Sequence, residues 1–298
     1  MKNEKVQNGQ PVSGEYLMRS KKAEIWHRFK KNKGAVVGLG IVIIFILIAL
    51  TVDLWLPGEK FNEINVMEKF QTPSAKHLFG TDELGRDLFF RVIYGTKYSL
   101  AIGFIAVMVS AVVGVPIGAV AGYYGKKVET VIMRLTDIFS AIPSILMAIA
   151  IVSVLGRSTI NLMLAVGIAA IPSFVRITRA SVLTVVNEEY VEAARALGKT
   201  NVYIILKHIL PNCLSPIIVQ ITLRIAGAII SASSLSFLGI GIKPPMPEWG
   251  ALLTAGKSYI GNYSYLCLFP GLAIMVTVLA FNLVGDALRD ALDPKLKN

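Results

Sequence analysis

Six long apolar runs, separated by shorter polar segments, dominate the pattern of hydrophobic and polar positions along the chain. A helix needs about 20 mostly apolar residues to cross roughly 30 Å of hydrocarbon. The runs that meet this length cover residues 34–54, 99–120, 128–155, 160–186, 214–242 and 266–284. The pattern therefore predicts an all-α, polytopic membrane protein with about six transmembrane helices. Three runs exceed the length of a span, so we expect them to tilt, protrude or bend.

The composition agrees with a membrane location. Hydrophobic residues make up 54% of the chain and charged residues 16%, whereas soluble domains average about 25% charged residues. The net charge is +11, and residues 1–33 hold nine of the lysines and arginines. This cluster ends where the first apolar run begins, which is typical of a cytoplasmic flank that contacts anionic lipid. We therefore expect membrane lipid, and not nucleic acid, to be the partner of this charge.

The basic residues of the connecting segments predict the orientation of the spans. With the N-terminus inside, most of them fall in cytoplasmic connections, including Lys126, Lys127, Arg176, Arg179 and Lys199. This distribution predicts a multi-pass protein of the plasma or inner membrane with both termini in the cytoplasm. Residues 1–33 and 288–298 would be cytoplasmic tails, and residues 34–96 would hold the first transmembrane helix and an extracytoplasmic segment.

Small residues recur along one face of the second apolar run. They are Gly103, Ala106, Ser110, Gly114 and Gly118, at spacings of three or four residues. Such a stripe lets the backbones of neighbouring membrane helices approach closely. We expect this helix to pack tightly against other helices, in this chain or in a partner.

The connection between the fourth and fifth runs predicts a short amphipathic helix over residues 188–197, capped by Asn187. Its predicted apolar face carries Tyr190, Ala194 and Leu197. Gly198 is expected to end the helix in the left-handed conformation. A second helical stretch, residues 202–210, is expected to stop at Pro211. Amphipathicity alone favours an ordinary helix lying on the membrane surface.

The same connection resembles the EAA loop of the integral membrane subunits of ABC importers. The pattern is E-A-A, three residues, Gly, nine residues, Ile, one residue, and Leu-Pro. The matching residues are Glu192, Ala193, Ala194, Gly198, Leu210 and Pro211. One position departs from the pattern, because His208 stands where Ile is expected and Ile209 follows it. The loop also precedes the fifth of six spans, as it does in that family.

A second segment, from His77 to Asp87, reads HLFGTDELGRD and is followed by Arg91, Gly95, Ser99 and Leu100. It is similar to the segment before the second helix in the dipeptide, oligopeptide and nickel permease group. The chain resembles the C-type subunit of that binding-protein-dependent family, over roughly residues 20–294. From the residues alone, this segment is a well-capped turn outside the membrane that says nothing about substrate.

The resemblance implies a permease subunit of an ATP-driven importer. Residues 97–287 would form a type I (MetI-like) ABC transmembrane domain with its EAA loop at residues 188–212. Such a subunit forms half of the translocation pathway with a second homologous permease. Two ABC ATPase subunits bind ATP and Mg²⁺ below, and an extracytoplasmic substrate-binding protein delivers cargo. The resemblance favours peptides as cargo, with nickel or a metal chelate as the alternative.

Two charged residues lie inside predicted spans, Asp137 in the third and Arg224 near the middle of the fifth. A charge at the bilayer centre costs about 2.5–3.5 kcal/mol on insertion scales, so each should face protein or water. They are candidates to line the pathway and meet the charged ends of a peptide. The alternative is a buried structural pair or a contact with the partner permease. Arg134 is expected near the cytoplasmic edge.

The sequence offers no motif for catalysis, for a metal or for a cofactor of its own. It lacks G-x-S-x-G and H-E-x-x-H patterns. Gly198-Lys199-Thr200 and Gly256-Lys257-Ser258 end like phosphate loops, but Ala193 and Ala251 replace the required first glycine. We therefore expect no enzyme activity in this chain. A standalone channel or secondary transporter is an alternative of a different class, and it gives the EAA loop no purpose.

Overall fold

The computed structural model describes residues 21–56 and 60–292 of the chain. The outer parts of the two predicted tails, residues 1–20 and 293–298, lie outside this range. Within it the helices are α1 Lys21–Lys31, α2 Lys33–Trp55, α3 Leu88–Tyr124, α4 Lys126–Ala141, α5 Ser144–Leu155, α6 Thr159–Leu183, α7 Glu189–Ala196, α8 Asn201–Ile204, α9 Leu214–Phe237, α10 Trp249–Gly256 and α11 Tyr265–Leu292. The prediction of an all-α chain is confirmed.

Among the described residues, five helical segments are long and apolar enough to cross a membrane, namely α2, α3, α6, the segment Asn201–Phe237 and α11. The third predicted span, residues 128–155, is not a single helix. It consists of α4 and α5, which meet at an 83° bend. Ile142 between them is extended at φ −85° and ψ 125°, because a proline disfavours helical backbone at the residue before it. The pair forms a sixth span only if both halves are counted as one broken span.

Helix α3 is longer than the predicted run, which began at residue 99. It begins at Leu88, where the Asp87 carboxylate accepts hydrogen bonds from the backbone N–H groups of Phe89 and Phe90. Its 37 residues give a length of about 55 Å at 1.5 Å per residue, well beyond the roughly 30 Å of hydrocarbon. The predicted boundary between the extracytoplasmic segment and the transmembrane domain, at residues 96 and 97, therefore lies inside a continuous helix.

Helix α3 stands at the centre of the bundle and packs most extensively on α6, then on α9 and α2. The small-residue stripe produces this contact, because a side chain at its glycines would meet the neighbouring backbone. A Cβ added to Gly118 would lie 2.5 Å from the carbonyl oxygen of Val175 in α6. A Cβ added to Gly103 would lie 2.6 Å from Ile229 Cγ1 in α9. The predicted close helix approach is confirmed, and both neighbours belong to this chain.

Residues 60–87, which lie within the segment predicted to be extracytoplasmic, fold into capped turns against α3 and α11. Asp82 Oδ1 accepts from the backbone N–H of Leu84, at 2.9 Å, and of Arg86, at 3.0 Å. Its other oxygen accepts from Arg86 Nε at 2.7 Å and, at 3.3 Å, from the buried Arg91. Gly85 has φ +75°, as the predicted turn requires. The hydroxyl of Tyr265 in α11 donates to the Thr81 carbonyl at 2.9 Å.

Helix α1 lies within the segment predicted only as a cytoplasmic tail. It packs on α11, and its Phe29 is buried. Trp26 stacks on Phe29 with ring centroids 5.7 Å apart and remains half exposed, with Lys30 above its ring. Asn32 then ends α1 and caps α2 by accepting a hydrogen bond from the N–H of Ala35. The basic N-terminal flank therefore contains an ordered amphipathic helix.

Candidate coupling loop and membrane cavity

Helix α7 is the short helix predicted in the loop between α6 and α9. Its N-cap is Glu188, not Asn187, because the last turns after α6 continue to residue 187 before the backbone becomes extended at Glu188. The carbonyl of Glu188 accepts the first hydrogen bonds of the helix, from Val191 at 2.8 Å and from Glu192 at 3.2 Å. The prediction of the helix is confirmed, and its cap lies one residue later.

The buried face of α7 differs from the predicted one. Val191 and Ala194 are buried and pack in a cluster with Ala119 of α3 and Val182 of α6. Tyr190 and Leu197 are exposed, and Leu197 reaches 77% exposure. Burial against the ends of two other helices decides this face. A periodicity of apolar residues within the loop could not identify it.

Gly198 ends α7 as predicted, with φ +69°. Its N–H donates to the carbonyl of Arg195 at 2.9 Å, and the N–H of Lys199 donates to the carbonyl of Ala194 at 3.2 Å. This pair of hydrogen bonds is a Schellman motif, which requires a left-handed residue and so favours glycine. A Cβ at Gly198 would have no atom within 4 Å, so a substitution there changes backbone strain and the exposed surface.

The second helical stretch does not stop at Pro211. It starts as α8, capped by Thr200, passes through one π-helical turn at Ile205–Ile209 and one 3₁₀ turn at Leu210–Cys213, and enters α9. Pro211 lies at the start of the 3₁₀ turn, where a missing N–H costs little. Proline thus marks a change of helix type here and not an end.

The departure at His208 does not leave a gap in the loop. The fully buried residue of this turn is Ile209, one position later. His208 lies half-buried beside Tyr203, with ring centroids 5.7 Å apart. The π-helical turn therefore places a buried isoleucine one position after the expected one.

The residues that match the EAA pattern form a mainly exposed surface. Glu192, Ala193, Gly198 and Pro211 are exposed, Leu210 is half-buried, and Ala194 anchors the helix in the cluster. Large apolar side chains beside them are also exposed, with Leu197 at 77%, Val202 at 64% and Leu206 at 57%. A short rigid helix with an apolar rim, held by its buried face, suits docking into a groove of another protein.

A contact that the sequence did not indicate joins this loop to α3. The guanidinium of Arg195 lies over the ring of Tyr123, and the Tyr123 hydroxyl donates to Asn201 Oδ1 at 2.8 Å. One tyrosine near the end of α3 therefore contacts both α7 and α8. Because these residues are 72 to 78 positions apart in the chain, no local pattern could reveal their contact.

A cavity of about 350 Å³ opens among α3, the α4–α5 bend, α6 and α9. Its two charged lining residues among those that the structure describes are Arg176 and Arg224. Arg224 Nη2 donates to Ser173 Oγ at 2.6 Å, and Arg176 Nη2 donates to Asp137 Oδ1 at 3.0 Å. Serine hydroxyls, including those of Ser140 and Ser231, line the remaining polar wall.

Asp137 and Arg224 therefore do not pair with each other, and each bonds to α6. Asp137 is about half exposed, with 54% of its side chain accessible, so it is not a buried structural charge within this chain. Arg176 and Arg179, which are predicted to lie on the cytoplasmic side, belong to the C-terminal part of α6, which ends at Leu183. The sequence contained one signal for these bonds to α6: Ser173 and Arg176 are three residues apart, which puts them on one face of a helix.

A second groove runs along α4 beside this cavity. Glu129 in α4 forms an ion pair with Arg179 in α6, and Arg134 lines the groove together with Asp137. Two ion pairs thus bridge α4 and α6. In the part of the chain that the structure describes, no three His, Cys, Asp or Glu residues group as metal ligands would.

Sequence comparisons relate the chain to known transport proteins. The profile of the family described as "Binding-protein-dependent transport system inner membrane component" matches residues 114–298. The profile described as "N-terminal TM domain of oligopeptide transport permease C" matches residues 20–73. The dipeptide transport system permease protein DppC of Alkalihalophilus pseudofirmus is 47% identical over 98% of this chain and 95% of its own length. The glutathione transport system permease protein GsiD of Pectobacterium atrosepticum is 42% identical over 97% of this chain and 96% of its own length.

A solved structure of the inward-facing MetNI methionine ABC transporter contains a chain with a similar fold. The TM-score is 0.57 at 19% sequence identity, and the match covers 69% of this chain and 98% of that chain. At this identity the likeness shows the fold alone. It is the MetI-like fold that the resemblance implied for the transmembrane domain.

Proposed function

The chain belongs to the family of binding-protein-dependent transport system inner membrane components, and on that premise we propose that it forms half of the translocation pathway of an ATP-driven peptide importer. Like its relatives, it is a transport permease subunit and not an enzyme. The observation that carries the proposal is the exposed EAA surface on α7, in a chain whose membrane-spanning helices also enclose a cavity.

Peptides are the proposed cargo. The relatives described above are named for dipeptides and glutathione, and each aligns over nearly the whole chain. These names favour a peptide over nickel or a metal chelate. Neither the cavity lining nor the loop distinguishes a dipeptide from a longer peptide.

Four partners complete the proposed importer. A second homologous permease supplies the other half of the pathway, and an extracytoplasmic binding protein delivers the peptide. Two ABC ATPase subunits bind ATP and Mg²⁺, and one of them receives α7 in a groove. Closure of the ATPases would push on Glu192, Ala193 and the apolar rim at Leu197, which are exposed, and the Schellman turn at Gly198 keeps the helix end rigid. Because the ATPase subunits bind the ATP and Mg²⁺ in this proposal, the chain itself needs no cofactor.

The proposed orientation places both termini in the cytoplasm of a cell whose plasma or inner membrane holds the protein. Helix α1 and the EAA loop then lie on the same side as the ATPases. The capped turns around Asp82 and Asp87 lie on the side of the binding protein. Basic residues support this arrangement, since Lys126 and Lys127 begin α4 next to the loop side of α3.

The test is co-purification of the whole complex in mild detergent, with ATPase activity measured on the product. Wild type is expected to retain a second permease and two ATPases, whereas Gly198→Asp loses or uncouples the ATPases. Gly239→Asp is the matched control, because Gly239 also closes a Schellman turn, with φ +80° and open space around its Cβ position. It follows α9 at the end opposite to the EAA loop, so it should leave the ATPases bound.

Two results would contradict the proposal. If wild type purifies without any ATPase, the EAA match is coincidental and a self-contained channel or carrier becomes the better hypothesis. If both glycine variants lose the ATPases equally, the loss reflects general strain and not the coupling surface.

A further inference from the structure

The cavity beside α6 carries an excess of positive charge in the middle of the membrane domain. We propose that it binds the free carboxylate of the transported peptide, with Arg224 as the anchoring residue. This inference rests on the proposed function and adds a chemical preference to it. It concerns which end of the cargo the permease recognises, independently of the binding protein.

Arg224 has hydrogen-bonding capacity to spare. A guanidinium carries five N–H donors, and the partner of Arg224 among the described residues is the neutral hydroxyl of Ser173, at 2.6 Å. No carboxylate in the part of the chain that the structure describes contacts it. Ser173 accepts from one nitrogen and so orients the guanidinium toward the cavity that both residues line. A carboxylate is the ligand that matches the remaining fork of donors.

Arg176 contributes a second positive charge on the same wall. It lies three residues after Ser173 on α6, and both line the cavity. Its ion pair with Asp137, at 3.0 Å, holds its side chain across the gap between α4 and α6. Asp137 offsets the charge of Arg176, whereas Arg224 has no negative partner within residues 21–56 and 60–292.

The charge balance of the surroundings favours an anion over a cation. The cavity and the adjoining groove are lined by five basic and two acidic side chains, namely Lys126, Arg134, Arg176, Arg179, Arg224, Glu129 and Asp137. A free divalent cation would be repelled by this field, whereas a carboxylate would be attracted. At about 350 Å³, the cavity also falls within the size of small-ligand sites, roughly 300–1,000 Å³.

The test uses the complete importer with its binding protein in proteoliposomes. The probes are a radiolabelled dipeptide, Ala-Ala, and the same dipeptide with its carboxylate converted to an amide. The affinity of the binding protein for each probe is measured first, and concentrations are set for equal occupancy. The ratio of the initial uptake rates of acid and amide is then compared between wild type and variants. The contribution of the binding protein to this ratio is the same in all of them and therefore cancels.

Wild type is expected to prefer the acid, and Arg224→Gln should lower that preference by roughly ten- to hundredfold, since a hydrogen bond to a charged group contributes about 1.5–3 kcal/mol and about 1.4 kcal/mol is a factor of ten. Arg224→Lys should keep part of the preference, because it retains the charge without the fork. Arg157→Gln is the control, because Arg157 is exposed in the connection between α5 and α6, outside the cavity lining. Its ratio should equal that of wild type.

Three outcomes separate this inference from its premise. Equal ratios in wild type and Arg224→Gln would overturn it while leaving the importer intact. Loss of the second permease from Arg224→Gln on purification would also overturn it, because Arg224 would then be an assembly contact. Failure of wild type to take up any peptide would overturn the proposed function itself, and this inference with it.

Discussion

Arg195 and Tyr123 form a cation–π contact, in which the guanidinium carbon lies 5.1 Å from the ring centroid. Arg195 belongs to the last turn of α7, and Tyr123 lies next to the last residue of α3. The hydroxyl of the same tyrosine donates a hydrogen bond to Asn201 Oδ1 in α8. A displacement of α7 therefore acts directly on α3, the helix at the centre of the bundle.

Replacing Tyr123 should weaken the coupling of ATP hydrolysis to transport. Tyr123→Leu removes both the ring contact and the hydrogen bond, which together contribute about 1–2 kcal/mol. We expect the number of peptides transported per ATP to fall several-fold in proteoliposomes that contain the whole importer. The measurement is uptake and phosphate release in the same sample.

Two further variants identify the contact responsible. Tyr123→Phe keeps the cation–π contact and loses the hydrogen bond, so its coupling ratio should lie between those of wild type and Tyr123→Leu. Tyr124→Phe removes only the hydroxyl of the exposed neighbour, keeps its edge-to-face contact with the Tyr123 ring and should leave the ratio unchanged. If Tyr124→Phe and Tyr123→Phe reduce the ratio equally, the end of α3 matters as a whole and the hydrogen bond to Asn201 does not.

The orientation of the EAA loop can be measured by cysteine labelling in intact cells. Lys199→Cys places a thiol on the exposed end of the loop, and Ser74→Cys places one on the exposed opposite segment. A membrane-impermeant maleimide should label Cys introduced at position 74 in intact cells and the one at position 199 only after lysis. The parent chain gives the background, since Cys213 is buried and Cys267 half-buried. Labelling of position 199 from outside alone would reverse the proposed topology.

Packing of α3 on α6 should be sensitive to one methyl group. In Gly118→Ala the added Cβ would lie 2.5 Å from the carbonyl of Val175 and 2.8 Å from Thr178 Cβ. Overpacking of this kind costs about 1–3 kcal/mol, so the melting temperature of the detergent-purified protein should fall. Gly40→Ala in α2 is the control, because no atom lies within 4 Å of its added Cβ. A similar fall in both variants would show that helix glycines matter here for another reason than contact with α6.

Glu248 should make the stability of the protein fall as pH rises. Its carboxylate caps α10 by accepting from the N–H groups of Gly250, at 2.8 Å, and Ala251, at 2.9 Å. The side chain is almost fully buried, and this burial raises the pKa of Glu248 above its usual value. Among the described residues, the groups that act on its pKa are the amides of Gly250 and Ala251 and the hydroxyls of Ser233 and Ser236, none of which carries a charge.

The sign of the effect follows from proton binding. Above the usual glutamate pKa of about 4.3 the unfolded chain releases this proton while the folded chain keeps it, so folding is progressively disfavoured until the raised pKa is passed. Glu248→Gln removes the titration and keeps an acceptor for the cap. Its melting temperature should therefore vary less than that of wild type between pH 4.5 and 8. Identical pH profiles would mean that Glu248 is ionised in the folded protein throughout this range.

Helix positions could be predicted well from the sequence where lipid alone decides them. The first span was predicted at residues 34–54 and is found at Lys33–Trp55, and the fourth was predicted to start at residue 160 and starts at Thr159. Hydrocarbon imposes the same requirement on every span, which is an apolar run of sufficient length with its backbone hydrogen bonds closed internally. Gly198 was equally predictable, because a helix end in the left-handed conformation is a local property of the backbone.

Only the tertiary structure decided features that depend on distant parts of the chain. The extension of α3 to Leu88 rests on contacts with distant parts of the chain, such as the Trp249 indole N–H donating to the Val92 carbonyl at 2.9 Å. The buried face of α7 is chosen by Ala119 and Val182, and Arg176 finds Asp137 39 residues away.

The difference has one physical reason. The membrane acts on each residue as a uniform solvent, so the order of apolar and polar residues is enough to determine where the chain crosses it. Pairing of charges, exposure of the EAA surface and the shape of the cavity arise from specific neighbours brought together by packing. For this protein the sequence by itself therefore determined the first span, the start of the fourth span and the end of α7 at Gly198. The arrangement of Ser173, Arg176 and Arg224 around one cavity became visible only when α4, α6 and α9 were placed side by side.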